Sequence, residues 1–311
     1  MEKNGIFYYP NWTRKSMTFT IDDANTTLDR KFIDIVRPAG ITGAFNVTTK
    51  NLKRLTPEQC RELYAGFEIT NHSKTHPFLL KERDKGRITD EPFVEADADE
   101  SKIYKTDREG YYYFKATNGW RIAATLEAYK EDVRLGHVEA EEIFGKGSVD
   151  AYAWPYTIQE SEELDAYIKS FGYYSVRASG PIRDKEGFNI PQNRFPWYGT
   201  AHYYEILELG ERYDNLADDG NLKFFCFGFH SHDYENNKAW HNLEEFARRY
   251  GNRPNDFWYS TPRAIFAYED AVKSAVVTDE EIVNSSDLTI YAEVNGNRFE
   301  VSPKSTVKIK G

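Results

Sequence analysis

Apolar residues in this chain gather into short runs, separated by stretches whose apolar positions recur at helical spacing. Met17-Thr18-Phe19-Thr20-Ile21 is the first run, Gly43-Ala44-Phe45-Asn46-Val47 the second and Gly66-Phe67-Glu68-Ile69-Thr70 the third. Leu28, Phe32 and Ile35 between the first two mark a helix. Thr56-Pro57-Glu58-Gln59 carries a capping box with proline at the first helical position. The pattern continues with a long helix over 120–144, broken near Gly136, and a strand at Ala151-Tyr152-Ala153-Trp154. A helix over 160–170, a strand at Tyr174-Ser175-Val176 and the very apolar run Phe224-Phe225-Cys226-Phe227-Gly228-Phe229 follow. Strands alternating with helices predict an α/β fold with a parallel sheet.

Two regions break the rhythm. Residues 81–118 are charged and tyrosine-rich without a helical period, and they are too long for a plain connector. They read as an insertion on the side of the fold that carries the site. From Asp279 onward Leu288-Thr289-Ile290-Tyr291 alternates, Asn295-Gly296 signals a hairpin turn, and Val307-Lys308-Ile309 offers a third strand. The expected organisation is one main unit over 1–275 and a small β tail over 276–311.

A chain of 311 residues can bury a full core. Its net charge of -10 argues against nucleic acid or an anionic membrane as the main partner. Aromatics at 15% fit both tyrosine-heavy packing and a groove that stacks sugar rings. Cys60 and Cys226 stand far apart and read as reduced core residues. The first residues lack an apolar segment, and no stretch approaches the length of a membrane span. The expectation is a cytoplasmic protein, a trimmed exported chain being the alternative.

The chemistry-bearing residues fall just past the apolar runs, where parallel α/β folds gather their working groups. Asp22 and Asp23 close the first run, and His72 and His76, four apart, follow the third. Trp154-Pro155-Tyr156, Arg177 and His230 end later ones. One carboxylate and two imidazoles make a three-ligand site for a divalent ion with positions left open. The spare carboxylate then serves as a base towards water, a set that points to metal-assisted hydrolysis.

These segments resemble the polysaccharide deacetylase family, the NodB-homology hydrolases of carbohydrate esterase family four. The motif T-F-D-D is matched by Thr20-Ile21-Asp22-Asp23, and H-[ST]-x-x-H by His72-Ser73-Lys74-Thr75-His76. The motif R-x-P-[YF] appears as Ala153-Trp154-Pro155-Tyr156 without its arginine, and the closing strand-to-histidine motif ends at His230. The resemblance runs over about residues 15 to 270. It implies a distorted (β/α) barrel of about seven strands and an acetylated carbohydrate as substrate. Asp23, His72 and His76 would hold one divalent ion, Zn2+ first among candidates, which lowers the pKa of water toward about 7. Asp22 would act as the base, His230 as the acid, and the backbone N-H of Tyr156 would stabilise the oxyanion. Arg177 is the candidate to replace the missing arginine beside the catalytic aspartate, a loop-anchoring arginine being the alternative. Trp197, Tyr198 and His202 are candidates for a sugar subsite, with packing as the competing explanation, and Trp154 is a candidate for contacting substrate or orienting the site. His232, beside Asp233, competes with His230 for the acid role. An amidohydrolase acting on a small non-sugar amide and a weakly active carbohydrate-binding protein are the other readings.

Overall fold

A computed structural model describes residues 5–179 and 187–309. Eight strands form its central sheet: β1 (Lys15–Asp22), β2 (Ala44–Val47), β3 (Glu68–Asn71), β4 (Ala151–Ala153), β5 (Ser175–Arg177), β6 (Ala201–His202), β7 (Lys223–His230) and β8 (Phe257–Tyr259). Seven follow the order β5-β4-β3-β2-β1-β7-β6, and every pairing is parallel. β8 also runs parallel to β1, beside Lys15, Ser16 and Met17, where β2 has not yet joined that edge. The sheet curls until its edges are laced together by one segment. Trp197 exchanges backbone hydrogen bonds of 2.9 Å with Val176 and Ala178, while Thr200 N donates to Cys226 O at 2.6 Å. The result is the parallel α/β arrangement that the alternation of runs predicts, curled into the (β/α) barrel that the resemblance implies.

Helices cover the outside. α1 (Thr26–Val36) follows β1 and is capped by Asn25, and α2 (Pro57–Leu63) has the capping box read from the sequence. α3 (Leu126–Phe144) and α4 (Glu162–Ser170) flank β4. Phe19 sits at the centre of the packing, with its ring 5.0 Å from Phe32, 5.4 Å from Phe45 and 5.6 Å from Phe67. Cys60 and Cys226 are buried and free. Among the described residues no helix is long and apolar enough to cross a membrane.

The long helix expected over 120–144 is shorter. Gly119–Ala124 is a strand paired antiparallel with Tyr111–Ala116, and the helix starts only after Thr125 caps it. Trp120 and Ile122 find partners across that ladder, which helical spacing along one segment cannot reveal. The two strands belong to a five-stranded sheet that also contains Phe78–Leu79, Ile88–Thr89 and Ile103–Lys105. Nor does Gly136 break α3. A Cβ there would lie 2.6 Å from Asn71 Oδ1 and from the backbone carbon of Ser73, so the glycine lets the helix press against the histidine segment. Gly136→Ala is therefore expected to destabilise by about 1–3 kcal/mol through overpacking, outweighing the roughly 1 kcal/mol of helix propensity gained. Urea unfolding checks this, and a variant as stable as the parent would refute it.

In the tail Asn295 and Gly296, at φ 54° and 76°, turn the hairpin Ile290–Val294/Asn297–Val301. Its third strand is Ile6–Tyr8 from the start of the chain. The expected partner, Val307, lies instead in Ser305–Lys308, which pairs with Glu281–Asn284.

Candidate active site

The register of the sheet assembles the site. Asp22 ends β1, with Asn46 of β2 beside it on one side and His230, last residue of β7, on the other. Neighbours in register on parallel strands point to the same face, so three polar side chains meet at one rim. Asn46 Nδ2 donates to Asp22 Oδ1 at 2.5 Å and to Thr20 Oγ1 at 2.7 Å. Arg177, ending β5, reaches across to donate from Nη1 to Asp22 Oδ2 at 2.5 Å, both side chains being 1% exposed. Burial alone would raise the Asp22 pKa. The charge of Arg177, then those of His72 and His230 and the Asn46 amide, outweigh it and hold the carboxyl below its ordinary range. Arg177 thus stands where the missing motif-three arginine was expected to act.

One residue on, the backbone turns sharply, with Asp23 and Ala24 in the left-handed region at φ 78° and 56°. Ser73, His76, Tyr156 and Phe229 also have positive φ. Such conformations are costly for residues with a Cβ and collect where the surrounding structure must aim particular groups. The histidines do not share a helix face, as spacing alone suggests; they meet across an irregular loop, with ring centroids 4.7 Å apart. His72 Nδ1 lies 2.8 Å from the Ala153 carbonyl, which can only accept, so that nitrogen carries the proton. His72 Nε2 is then left facing Asp23 Oδ1 at 3.5 Å, and His76 Nε2 lies 3.3 Å from the same oxygen. Asp23 Oδ1 and His72 Nε2 are buried without hydrogen-bond partners among the described residues. Burial, aided by His72, brings the His76 pKa down to about 3, leaving a neutral imidazole as metal ligation requires. Burial opposes ionisation of Asp23, but the neighbouring His72 and His230 outweigh it and hold the carboxyl below its ordinary range. Orphaned ligand atoms converging from two imidazoles and a carboxylate fit a divalent cation with open positions.

His230 Nε2 stands 3.9 Å from Asp22 Oδ2 and from Asp23 Oδ2, while its Nδ1 is 3.0 Å from Asp233 Oδ2. Burial opposes its protonation, but the Asp233 hydrogen bond and the charges of Asp22 and Asp23 push its pKa up to about 9. The carboxylate beside His232 in sequence therefore serves His230; His232 Nε2 is 3.9 Å from the other Asp233 oxygen. His232 stacks on the His230 ring at 4.5 Å and lines a cavity of about 170 Å³ with Asp23, Asn25, Asn51 and Arg54.

The polysaccharide deacetylase family model matches residues 10–176. The chain belongs to the polysaccharide deacetylase family. No curated protein matches it. Similar solved structures include the Xyl-CE4 domain of a multidomain xylanase from the hindgut metagenome of Trinervitermes trinervoides, at 13% identity and TM-score 0.46, covering 83% of this chain and 93% of that one. A CE4 esterase of Streptococcus mutans shares 14% identity over 82% of this chain and 92% of its own, at TM-score 0.46. Peptidoglycan deacetylase PdaC from Bacillus subtilis shares 14% over 84% and 95%, at TM-score 0.45. The stretch matched to the family holds Asp22, Asp23, His72, His76 and Tyr156, and it stops one residue before Arg177.

Other expected members of this polysaccharide deacetylase site fall elsewhere. Trp154 is buried against Tyr129 and Tyr152, and Trp197 against Phe224 and Phe266. Both indoles are buried core residues, although Trp197 edges a cavity of about 480 Å³ with Tyr198. His202 stacks on Phe229 with ring centroids 3.9 Å apart. Tyr156 lies flat on Phe78 at 3.6 Å and edge-on to His76 at 4.3 Å, which puts the first strand of the inserted sheet at the rim of the site. Asn46 and Asp132 are supports that sequence reasoning passed over. A polar residue inside the apolar run Ala44–Val47 was the available signal for Asn46. Asp132 sits on a polar helix and gave none.

Proposed function

We propose that this protein is a metal-dependent hydrolase that removes acetyl groups from an N- or O-acetylated carbohydrate. The observation that carries this reading is the convergence of Asp23, His72 and His76, with orphaned buried donor atoms, beside a fixed Asp22 and a carboxylate-supported His230. Family membership supports carbohydrate deacetylation. A divalent ion held by the three ligands, zinc before others for this donor set, would supply Lewis acidity and lower the pKa of water to about 7. Asp22, held ionised, takes the proton of the attacking water on a lone pair not used by Arg177 or Asn46. His230, with Asp233 fixing its Nδ1 side, gives the Nε2 proton to the departing nitrogen or oxygen. The Tyr156 backbone N-H faces the developing oxyanion in this scheme. The missing arginine that prompted the binding-protein reading is made good by Arg177 on Asp22.

The decisive experiment combines metal analysis with acetate release from a panel of acetylated oligosaccharides, with and without chelator. Chelation is expected to abolish release and Zn2+ to restore it. A fully loaded protein that frees no acetate from any member of the panel would refute the reading.

His230→Ala is expected to slow turnover by roughly 10²–10⁴ on substrates with poor leaving groups, and far less on an activated aryl acetate that needs no acid. His232→Ala should show no such dependence; the reverse pattern would exchange their roles. Because the acid form is the working one, activity on poor leaving groups falls as pH rises through the His230 pKa. A cation on Asp23 cancels part of the field that raises that pKa to about 9, so the alkaline limb of the loaded enzyme lies below this value.

A further inference from the structure

We propose that Asp132 is a positioning residue for the His72/His76 pair, and that through it the inserted sheet governs how tightly the site holds its cation. The inference rests on the assignment of Asp23, His72 and His76 as ligands. Ser73, Lys74 and Thr75, which separate the two histidines, form no helix or strand, and Ser73 and His76 are held at φ 66° and 58°. Such a segment needs external partners to keep two rings aimed at one point.

Asp132, wholly buried in the middle of α3, supplies them. Its Oδ1 accepts the backbone N-H of Lys74 at 2.9 Å and that of Thr75 at 2.8 Å. Its Oδ2 accepts Thr75 Oγ1 at 2.7 Å, and its backbone carbonyl lies 3.1 Å from Lys74 N. The same Oδ2 accepts the Tyr111 hydroxyl at 2.8 Å, with Arg108 Nη1 at 3.4 Å. Both belong to the insertion, and the Arg108 guanidinium lies 3.7 Å over the Tyr111 ring. One carboxylate therefore joins the histidine loop on one oxygen and both the loop and the insertion on the other. Gly136, one turn further along α3, permits the approach, since any Cβ there would strike the loop backbone. A shift of the inserted sheet would draw Tyr111 away from Oδ2 and loosen the grip on Thr75.

Partners behind metal ligands commonly carry a 10–100-fold share of affinity. Zn2+ alone, titrated calorimetrically into chelator-stripped protein well below its thermal midpoint, reads this without any substrate. Asp132→Asn is expected to weaken Zn2+ binding roughly 10–100-fold. Tyr111→Phe, which leaves every contact within the loop in place, is expected to weaken it about 3–10-fold. Ile290→Ala, a cavity in the core of the C-terminal hairpin and in a hydrophobic cluster separate from that of α3, controls for general loss of stability and should bind Zn2+ like the parent. Parent-like affinity in Asp132→Asn and Tyr111→Phe would overturn the proposal, as would an equal loss in Ile290→Ala. If Asp132→Asn does not fold, Tyr111→Phe decides alone. Failure of the unaltered protein to take up Zn2+ would instead overturn the ligand assignment, and this inference with it.

Discussion

Asp22→Asn is expected to keep the bound ion and lose a factor of roughly 10²–10⁴ in turnover, the range for a positioned proton transfer. The reason lies in how Asp22 is held. Arg177 donates to one of its oxygens and Asn46 to the other, so a replacement amide meets a donor on whichever side its own NH2 falls. Asn46 offers relief. If its amide turns over, its oxygen accepts from the replacement amide and from the Thr20 hydroxyl, which lies within reach and can reverse its role. The variant should therefore fold with its geometry kept and only the base removed. Asp23→Asn differs, because it removes a ligand oxygen that faces both imidazoles, and ion and activity should be lost together. Metal content alongside acetate release distinguishes the two. Near-normal turnover in metal-loaded Asp22→Asn would mean that another group accepts the proton.

The parts of this site that were legible in the sequence are those that local pattern determines. An apolar run that stops at a carboxylate or a histidine marks a strand end, and parallel strands bring their ends to one rim, which is why Asp22, His72 and His230 could be placed together beforehand. The inserted sheet was not legible because its strands are short, aromatic and paired across a meander, so that Trp120 and Ile122 mimic the start of the helix that follows. The burial of Trp154 and Trp197 was not legible for a related reason. Trp154 and Trp197 stand near strand ends, but whether an indole opens to a groove depends on the curl of the sheet, and here both are buried, with Trp197 edging a cavity of about 480 Å³. Asp132 was invisible because its significance comes from a loop 57 residues earlier in the chain and from Tyr111.

Arg177→Met is expected to destabilise the protein by about 3–5 kcal/mol, the usual effect of stripping one partner from a buried ion pair. What remains is a carboxylate 1% exposed that has lost its largest favourable charge and keeps only the Asn46 amide and the more distant histidines against a burial that drives it toward its neutral form. The sign of its pH dependence should reverse. In the parent the Asp22 pKa is depressed, so its contribution is present above the unfolded-state pKa of about 3.9 and is lost as pH falls through the lower folded value. With Arg177 gone the folded pKa stands above the unfolded one. The penalty then grows as pH rises, and the stability gap between parent and variant should widen from pH 5 to pH 8. Removing both charges tests the account further. Arg177 also buries Nε and Nη2 without partners among the described residues, groups whose desolvation the parent bears for the sake of Asp22. Asp22→Asn/Arg177→Met sheds the isolated carboxylate and the orphaned N-H groups together, so it should be more stable than Arg177→Met alone although it is inactive. Urea unfolding of the four proteins in the presence of chelator completes the cycle. If the two substitutions add to within about 0.5 kcal/mol, as independent sites do, the pair is not coupled and Arg177 is not what keeps Asp22 ionised.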